Sequence, residues 1–423
     1  MNVSKYLILC IALTGLFSCS KQEAQLSESE PAPQTDYADQ TSQITSGVAT
    51  EISGFSAQQV MQATDAAAQW QLAHMTDFES YVPSFLHRTK EPKGWVQGTF
   101  FLGLARWAAA TNNQDYFSYL REHGDSQEWE LGPRKFHADD HVIAQYYLHL
   151  YDLDKNAKQI EPLTNVFDHI LANKPDSTLD FEPMGKYADQ DYEHDCQKRW
   201  CWSDALFMSP PVWFHLSKIT GNTDYADYAH EEFQAVTEYL FDMTDHLYVR
   251  DSRFFDRRES NDKKIFWSRG NGWVFAGLTK ILETLELDDE RYVYYADIYI
   301  KMAYTLADKQ ASTGYWPVSL AAGELYPANE SSGTAFFVAG MAWGLNQGLL
   351  NESHFLPVVN KGWQALLNAQ REDGMLGYVQ QIGYAPDAVS PDQTQLYGAG
   401  AFLLAGTQML ELAKRTEKSA SSD

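Results

Sequence analysis

The eight residues Phe266-Trp267-Ser268-Arg269-Gly270-Asn271-Gly272-Trp273 bring together one guanidinium, one amide and two indoles. Gly270 and Gly272 carry no Cβ, so the backbone here can bend and approach a ligand closely. A guanidinium grips a carboxylate through paired charged hydrogen bonds, and an indole can cover the face of a sugar ring. Arg269 and Trp273 lie about one helical turn apart and share a face. The combination suits a pocket for an acidic carbohydrate. The bland reading of the same residues is a helix start with a surface arginine and a buried tryptophan.

These side chains need an element to hold them. After Trp273 the apolar residues Val274, Phe275, Leu278, Ile281, Leu282 and Leu285 recur at helical spacing. The same grammar, a polar or glycine-containing cluster followed by an apolar stripe, returns six times. The helix starts fall near Gln97, Asp139, Ser203, Arg269, Ser332 and Tyr397, and the last four are roughly 65 residues apart. Second helices lie between them, opened by polar turns such as Gly221-Asn222-Thr223, Leu287-Asp288-Asp289 and Leu350-Asn351-Glu352, whose Asn and Asp cap exposed backbone N–H groups. With an opening helix over Ala57 to His74, the pattern predicts six inner and six outer helices, an all-α (α/α)6 toroid. In such a toroid the inner helices aim their N-termini at one mouth, where N–H groups and helix dipoles favour an anion. Asp139 or Asp140, Asp204 and Arg269 can then share a site despite their separation in sequence.

Composition narrows the partners. The 423-residue chain has a net charge of −25 with 44% apolar residues, which argues against nucleic acid and anionic membrane surfaces. In so acidic a chain, each arginine inside a motif is informative. Lys5 and the apolar run Tyr6 to Phe17 read as an export signal, too short to span a bilayer. Leu16-Phe17-Ser18-Cys19 resembles a bacterial lipobox with Cys19 as the lipidated residue, so residues 1–19 are expected to be a lipoprotein signal. The alternative is a plain secretory signal cleaved nearby. Residues 20–50 are poor in large apolar side chains and read as a disordered tether, residues 51–415 as one catalytic domain and 416–423 as a disordered tail. The expected location is periplasmic or outer-membrane anchored, with the lipid as the sole membrane attachment. Cys196 and Cys201 can form a disulfide in an exported protein or remain free thiols. No metal-binding spacing occurs, and no cofactor is implied.

Taken in order, Ala138-Asp139-Asp140-His141, Trp202-Ser203-Asp204-Ala205-Leu206-Phe207-Met208, Leu247-Tyr248-Val249-Arg250-Asp251, Trp267 to Trp273, Glu330-Ser331-Ser332-Gly333-Thr334-Ala335 and Tyr397-Gly398-Ala399-Gly400-Ala401-Phe402 resemble the unsaturated uronyl hydrolases of glycoside hydrolase families 88 and 105. The resemblance covers nearly the whole folded region and implies the same (α/α)6 barrel. It also implies exo-acting removal of a 4,5-unsaturated uronic acid from oligosaccharides left by polysaccharide lyases, through hydration of a vinyl ether. Asp204 matches the family's acid/base, and its apolar neighbours Trp202, Leu206 and Phe207 would raise its pKa. Capping of a helix by Ser203-Asp204 is the structural alternative. Asp140 matches the second carboxylate, with Asp139 as the competing assignment. Arg269 and Trp273 match substrate-binding residues, and Trp95 a sugar-stacking aromatic. Ser332 and Thr334 are candidate donors to substrate or plain caps. Arg250 stands where the family often has histidine, and a permanent cation there suits a second negative group such as a sulfate on the neighbouring sugar, unless it pairs with Asp251 or Asp245. His194 is the match for a second family histidine. An ulvan- or rhamnogalacturonan-type substrate follows from these matches. Two other readings remain: a conventional inverting glycosidase or lyase on the same barrel, which would need two carboxylates with water between them, and a non-catalytic glycan-binding lipoprotein.

Overall fold

The computed structural model describes residues 54–181 and 194–420. The expected signal, Cys19 and the tether lie outside the described residues. Among the described residues, twelve helices of eleven residues or more run in alternation: α1 Ala57–Ala73, α2 Trp95–Thr111, α3 Gln114–Ser126, α4 Ala144–Asp154, α5 Glu161–Ala172, α6 Pro210–Thr220, α7 Thr223–Leu240, α8 Ser268–Thr284, α9 Glu290–Asp308, α10 Ser331–Asn346, α11 Glu352–Ala369 and α12 Leu396–Ala420. The even-numbered helices form a closed inner ring, in which each packs on the next and α12 returns to pack on α2. Odd-numbered helices lie outside them, with α1 against α12, α3 against α2, α7 against α6, α9 against α8 and α11 against α10. This is the (α/α)6 barrel.

Sequence pattern separates the two layers. Every residue of α10 from Ser331 to Leu345 is buried, as befits a helix with neighbours on all sides. Outer α5 buries a single stripe, Leu163, Phe167 and Ile170. The polar turns act as caps: Asn222 Oδ1 accepts from Asp224 N at 3.1 Å, Asp289 Oδ1 from Arg291 N at 2.9 Å and Asn351 Oδ1 from His354 N at 3.1 Å. The ring closes at a glycine crossing. A Cβ on Gly103 of α2 would lie 2.4 Å from the Gly400 carbonyl oxygen of α12, and one on Gly400 would lie 2.5 Å from that of Thr99. Only glycine permits that approach.

One boundary differs from expectation. α12 continues to Ala420, past the point where a disordered tail was expected to begin. Its last turns are held from outside by α1, whose Ala57 N–H donates to the Glu417 carboxylate at 2.8 Å.

Candidate active site

The starts of α2, α4, α6 and α8 meet the loop before α12 around one cavity of about 450 Å3. It lies at the mouth to which the inner-helix N-termini point. The sequence-predicted residues Trp95, Asp139, Asp204, Arg250, Arg269 and Trp273 all line it, as does His194. Trp273 is buried in the floor against Phe207 and Phe336, and Trp95 stacks on Tyr397 with centroids 5.1 Å apart.

Asp204 stands just before the short helix Ala205–Met208, yet its side chain makes no capping bond. Its carboxylate accepts from Ser203 Oγ at 3.2 Å and lies 3.6 Å from Arg250 Nε. Burial raises its pKa, while Arg250 and Arg269 pull it back. Asp139 sits in the 3-10 turn Ala138–Asp140. Burial above all, reinforced by Asp140 and Asp204 and opposed by Arg134 and Arg250, pushes its carboxyl up to about 7. Beside it, buried His137 accepts the Asp139 N–H on Nδ1 at 3.2 Å, which puts the ring proton of the neutral imidazole on Nε2. Burial, then the charge of Arg134, holds the His137 pKa well below its ordinary value.

Of the adjacent acids, Asp139 and not Asp140 lines the cavity, which reverses the placement expected from the sequence. Asp140 is turned toward the loop behind it. Its Oδ2 accepts from Arg134 N at 2.7 Å and Nε at 3.2 Å, and its Oδ1 from the Arg134 guanidinium at 2.5 Å. Gly132 makes room for this, since a Cβ there would lie 2.5 Å from the Asp140 carboxyl carbon. Asp140 therefore fixes the arginine that reaches the cavity. Ser332 and Thr334 also fall outside the cavity lining. Both serve Glu330, a buried carboxylate at the start of α10: Ser332 Oγ donates to its carboxylate, and Thr334 Oγ1 donates to its carbonyl while accepting Trp316 N. The buried charge is met by Ser332 Oγ and by the N–H groups of Ser332 and Gly333, at 2.9 and 2.7 Å.

Arg269 differs in use from the expected carboxylate receptor. Its two terminal nitrogens donate to the carbonyls of Gln380 at 2.6 Å and Gln381 at 2.9 Å, and its guanidinium lies over the rings of Trp267 and Tyr397. It thus holds the loop that presents Ile382, Gly383 and Tyr384 to the cavity. Arg250 pairs with Asp251 at 2.6 Å, while Asp245 takes Lys264 instead. Asn271 anchors this region from α8: its Oδ1 accepts Tyr248 N at 2.8 Å and its Nδ2 donates to Tyr248 O at 3.0 Å.

Sequence reasoning missed Arg88, Arg134, Arg253, His137 and Tyr384, which also line the cavity. Arg253 shares Asp251 with Arg250 and stacks 3.8 Å above Phe181. Five arginines thus line one cavity in a chain of net charge −25. His137 precedes the Ala138-Asp139 cluster by one residue, and Arg253 follows Arg250 by three. Those short offsets, weighed by the rarity of cations here, were the available signal. A disulfide joins Cys196 and Cys201, with Cα atoms 5.4 Å apart, and closes the turn that brings His194 and Gln197 beside Trp202.

The barrel gathers two acids and five arginines at one mouth, an arrangement that fits a glycosidase or lyase of anionic sugars. A family model, Glycosyl Hydrolase Family 88, matches residues 63–413, and the chain belongs to that family. An unsaturated 3S-rhamnoglycuronyl hydrolase of Alteromonas sp. (strain LOR) is 37% identical over 422 residues, covering 97% of this chain and 99% of that protein. One of the same name from Formosa agariphila is 35% identical over 356 residues, covering 82% and 89%. A solved glycosyl hydrolase family 88 structure from Bacteroides vulgatus superposes with a TM-score of 0.70 at 28% identity, covering 84% of this chain and 99% of that one.

Proposed function

We propose that this glycosidase removes a 4,5-unsaturated uronic acid from the non-reducing end of lyase-generated oligosaccharides, as an exo-acting unsaturated uronyl hydrolase. The observation that carries the reading is the pairing of Asp139 and Asp204, two carboxyls raised by burial, in a cavity lined by five arginines. A proton donor working near neutral pH needs a raised pKa, and an anionic sugar needs local positive charge. Family membership and the names of both relatives support the same activity.

In this mechanism the Asp204 carboxylic acid gives its proton to C4 of the double bond, and the ring oxygen shares the positive charge that develops at C5. Water adds at C5 and returns a proton to the Asp204 carboxylate. The C5 hemiketal opens by breaking its bond to the ring oxygen, leaving a ketone at C5 and a hemiacetal at C1. That hemiacetal collapses to an aldehyde and releases the next sugar as an alcohol, so one water is consumed. Asp139 replaces Asp140 as the second carboxyl and holds ring hydroxyls. Arg250 faces the uronate carboxylate, Arg269 fixes the wall beside it, Trp95 offers a ring face and Trp273 closes the floor.

The next sugar is proposed to be a sulfated rhamnose of an ulvan-type chain. The arginine cluster supports an anion beyond the uronate, and both relatives carry 3S-rhamnoglycuronyl in their names. Purified protein mixed with lyase digests of ulvan, rhamnogalacturonan and glycosaminoglycans is expected to abolish the ultraviolet absorbance of the conjugated C4=C5 carboxylate with the ulvan digest first. Absorbance unchanged with every digest would overturn the reading and favour a conventional glycosidase or a binding protein.

We also propose that the protein is an exported lipoprotein anchored through Cys19. The lipobox-like sequence and a disulfide suited to an oxidising compartment support this. Metabolic labelling with a radioactive fatty acid is expected to mark the protein and to fail with Cys19→Ser. Equal labelling of both forms would refute the anchor.

A further inference from the structure

The lining of the catalytic cavity runs from buried to exposed. Asp204 and Trp273 are buried, whereas the aromatic side chains of Phe85 and Tyr384, also in the lining, are 42% and 40% exposed. These two rings therefore stand where the cavity meets solvent. Phe85 immediately precedes the short helix Leu86–Lys90, and its carbonyl accepts Arg88 N at 3.0 Å. That helix is tied to the barrel through buried Thr89, whose Oγ1 donates to Gln395 Oε1 at 3.3 Å and whose carbonyl accepts Gln97 Nε2 at 2.9 Å. Phe85 itself is left-handed, at φ 53° and ψ 34°, a conformation that is costly for a residue with a bulky side chain. Among the described residues nine non-glycine positions have positive φ, and Phe85 alone of them lines the cavity. Trp129 and Trp200 share the conformation but bury their rings, so packing offsets the backbone cost. The Phe85 ring lies largely in solvent and has far less to offset it. Strain kept without packing is a mark of function.

We propose that Phe85 is a specificity-determining residue, a platform for the C–H face of the sugar that follows the unsaturated uronate. The inference rests on the hydrolase reading, which puts the double bond at Asp204. The uronate then occupies the buried part of the cavity, and the sugar joined to it lies toward the exposed part of the lining, where Phe85 stands. An aromatic face carries partial negative charge and attracts the C–H bonds of a sugar ring, and the contact adds dispersion over the whole ring area. Phe85 has no polar atom on its ring, so it favours an apolar sugar face over one that presents hydroxyls. Tyr384 offers a second exposed ring from a different element. Its loop is fixed where Arg269 holds the carbonyls of Gln380 and Gln381, and the Arg253 guanidinium lies 5.7 Å from its ring centre. The arginines thus recognise charge, while Phe85 recognises the shape of the neighbouring sugar.

The test is binding, read by calorimetry in full-length protein carrying Asp204→Asn so that nothing turns over. Two probes are compared: the unsaturated disaccharide of an ulvan lyase digest, and the methyl glycoside of the same unsaturated uronic acid, which has no second ring. Adding Phe85→Ala or Phe85→Gly is expected to weaken the disaccharide about tenfold while the methyl glycoside Kd stays within about twofold. Phe85→Tyr keeps a ring and is expected to hold the disaccharide within about threefold of the parent. Glycine adopts the left-handed conformation freely and alanine does not, so Phe85→Gly is expected to melt above Phe85→Ala. Equal losses of binding in these two then belong to the missing ring rather than to the backbone. A disaccharide Kd that neither variant changes beyond twofold would overturn the platform. So would a methyl glycoside weakened as much as the disaccharide, or a Phe85→Tyr loss as large as that of Phe85→Ala. Failure of the hydrolase reading shows separately, as unchanged ultraviolet absorbance with the unmutated enzyme, whereas failure of the platform leaves that turnover intact.

Discussion

Asp204→Asn is expected to lower kcat on an unsaturated oligosaccharide by roughly a thousandfold, with the Kd for intact substrate changed by less than about threefold. The amide keeps the shape of the side chain and its contact with Ser203 Oγ, 3.2 Å away, but has no acidic proton to deliver to C4. Because the Asp204 side chain caps no helix, the change should cost little stability, and the loss will be one of chemistry. Rapid mixing to follow single turnovers, beside thermal melting of the same sample, separates the two. A variant that melts normally and still turns over within tenfold of the unmutated rate would remove Asp204 from the proton-donor role. The conventional inverting mechanism also loses rate here, but it acts on saturated substrates, so the comparison belongs on the unsaturated one.

The second large effect runs in the opposite direction for stability. Asp139→Asn is expected to make the protein more resistant to unfolding at pH 8 while impairing catalysis. The Asp139 carboxyl titrates at about 7 in the folded chain against an ordinary 3.8, chiefly because it is buried. The folded state therefore holds a proton that the unfolded chain releases, and folding is progressively weakened as pH rises from about 4 to about 7. Asparagine carries no charge and escapes this penalty. The gain should be absent near pH 3, grow through that window and level off above it. A full displacement of that size is worth about 4 kcal/mol, and about a fifth of the side chain reaches water, so a plateau on the order of 2–4 kcal/mol is expected. Denaturant titrations at pH 4 and pH 8 read it directly. A variant no more stable than the parent at pH 8 would show that Asp139 is not held protonated by its surroundings.

Much of this molecule is legible in its sequence, and the part that is not has identifiable causes. The inner helices announce themselves because each begins with small or polar residues and runs on as an unbroken apolar stripe. Trp95, Asp204 and Trp273 follow from those starts. Choosing between Asp139 and Asp140 does not, because neighbours in a 3-10 turn point in different directions, and Gly132 and Arg134 decide which one is drawn away. Nor does the sequence reveal that Ser332 serves a carboxylate, since the burial of Glu330 is a property of the closed ring. Arg269 was recognisable as a site residue, but its partners Gln380 and Gln381 lie 111 and 112 residues away. The remaining arginines come from short turns and helices between the long ones, where no periodicity marks them.

The crossing of Gly103 and Gly400 has a consequence in time. It joins the second long helix to be synthesised to the last, so the ring cannot close until the final inner helix has emerged. Gln380 and Gln381, which fix the Arg269 wall of the cavity, are also made late. Contacts so distant along the chain form slowly and leave the partial barrel open meanwhile. A nascent or truncated chain lacking α12 thus has its acids, its tryptophans and all five cavity arginines, but no enclosed mouth in which to use them.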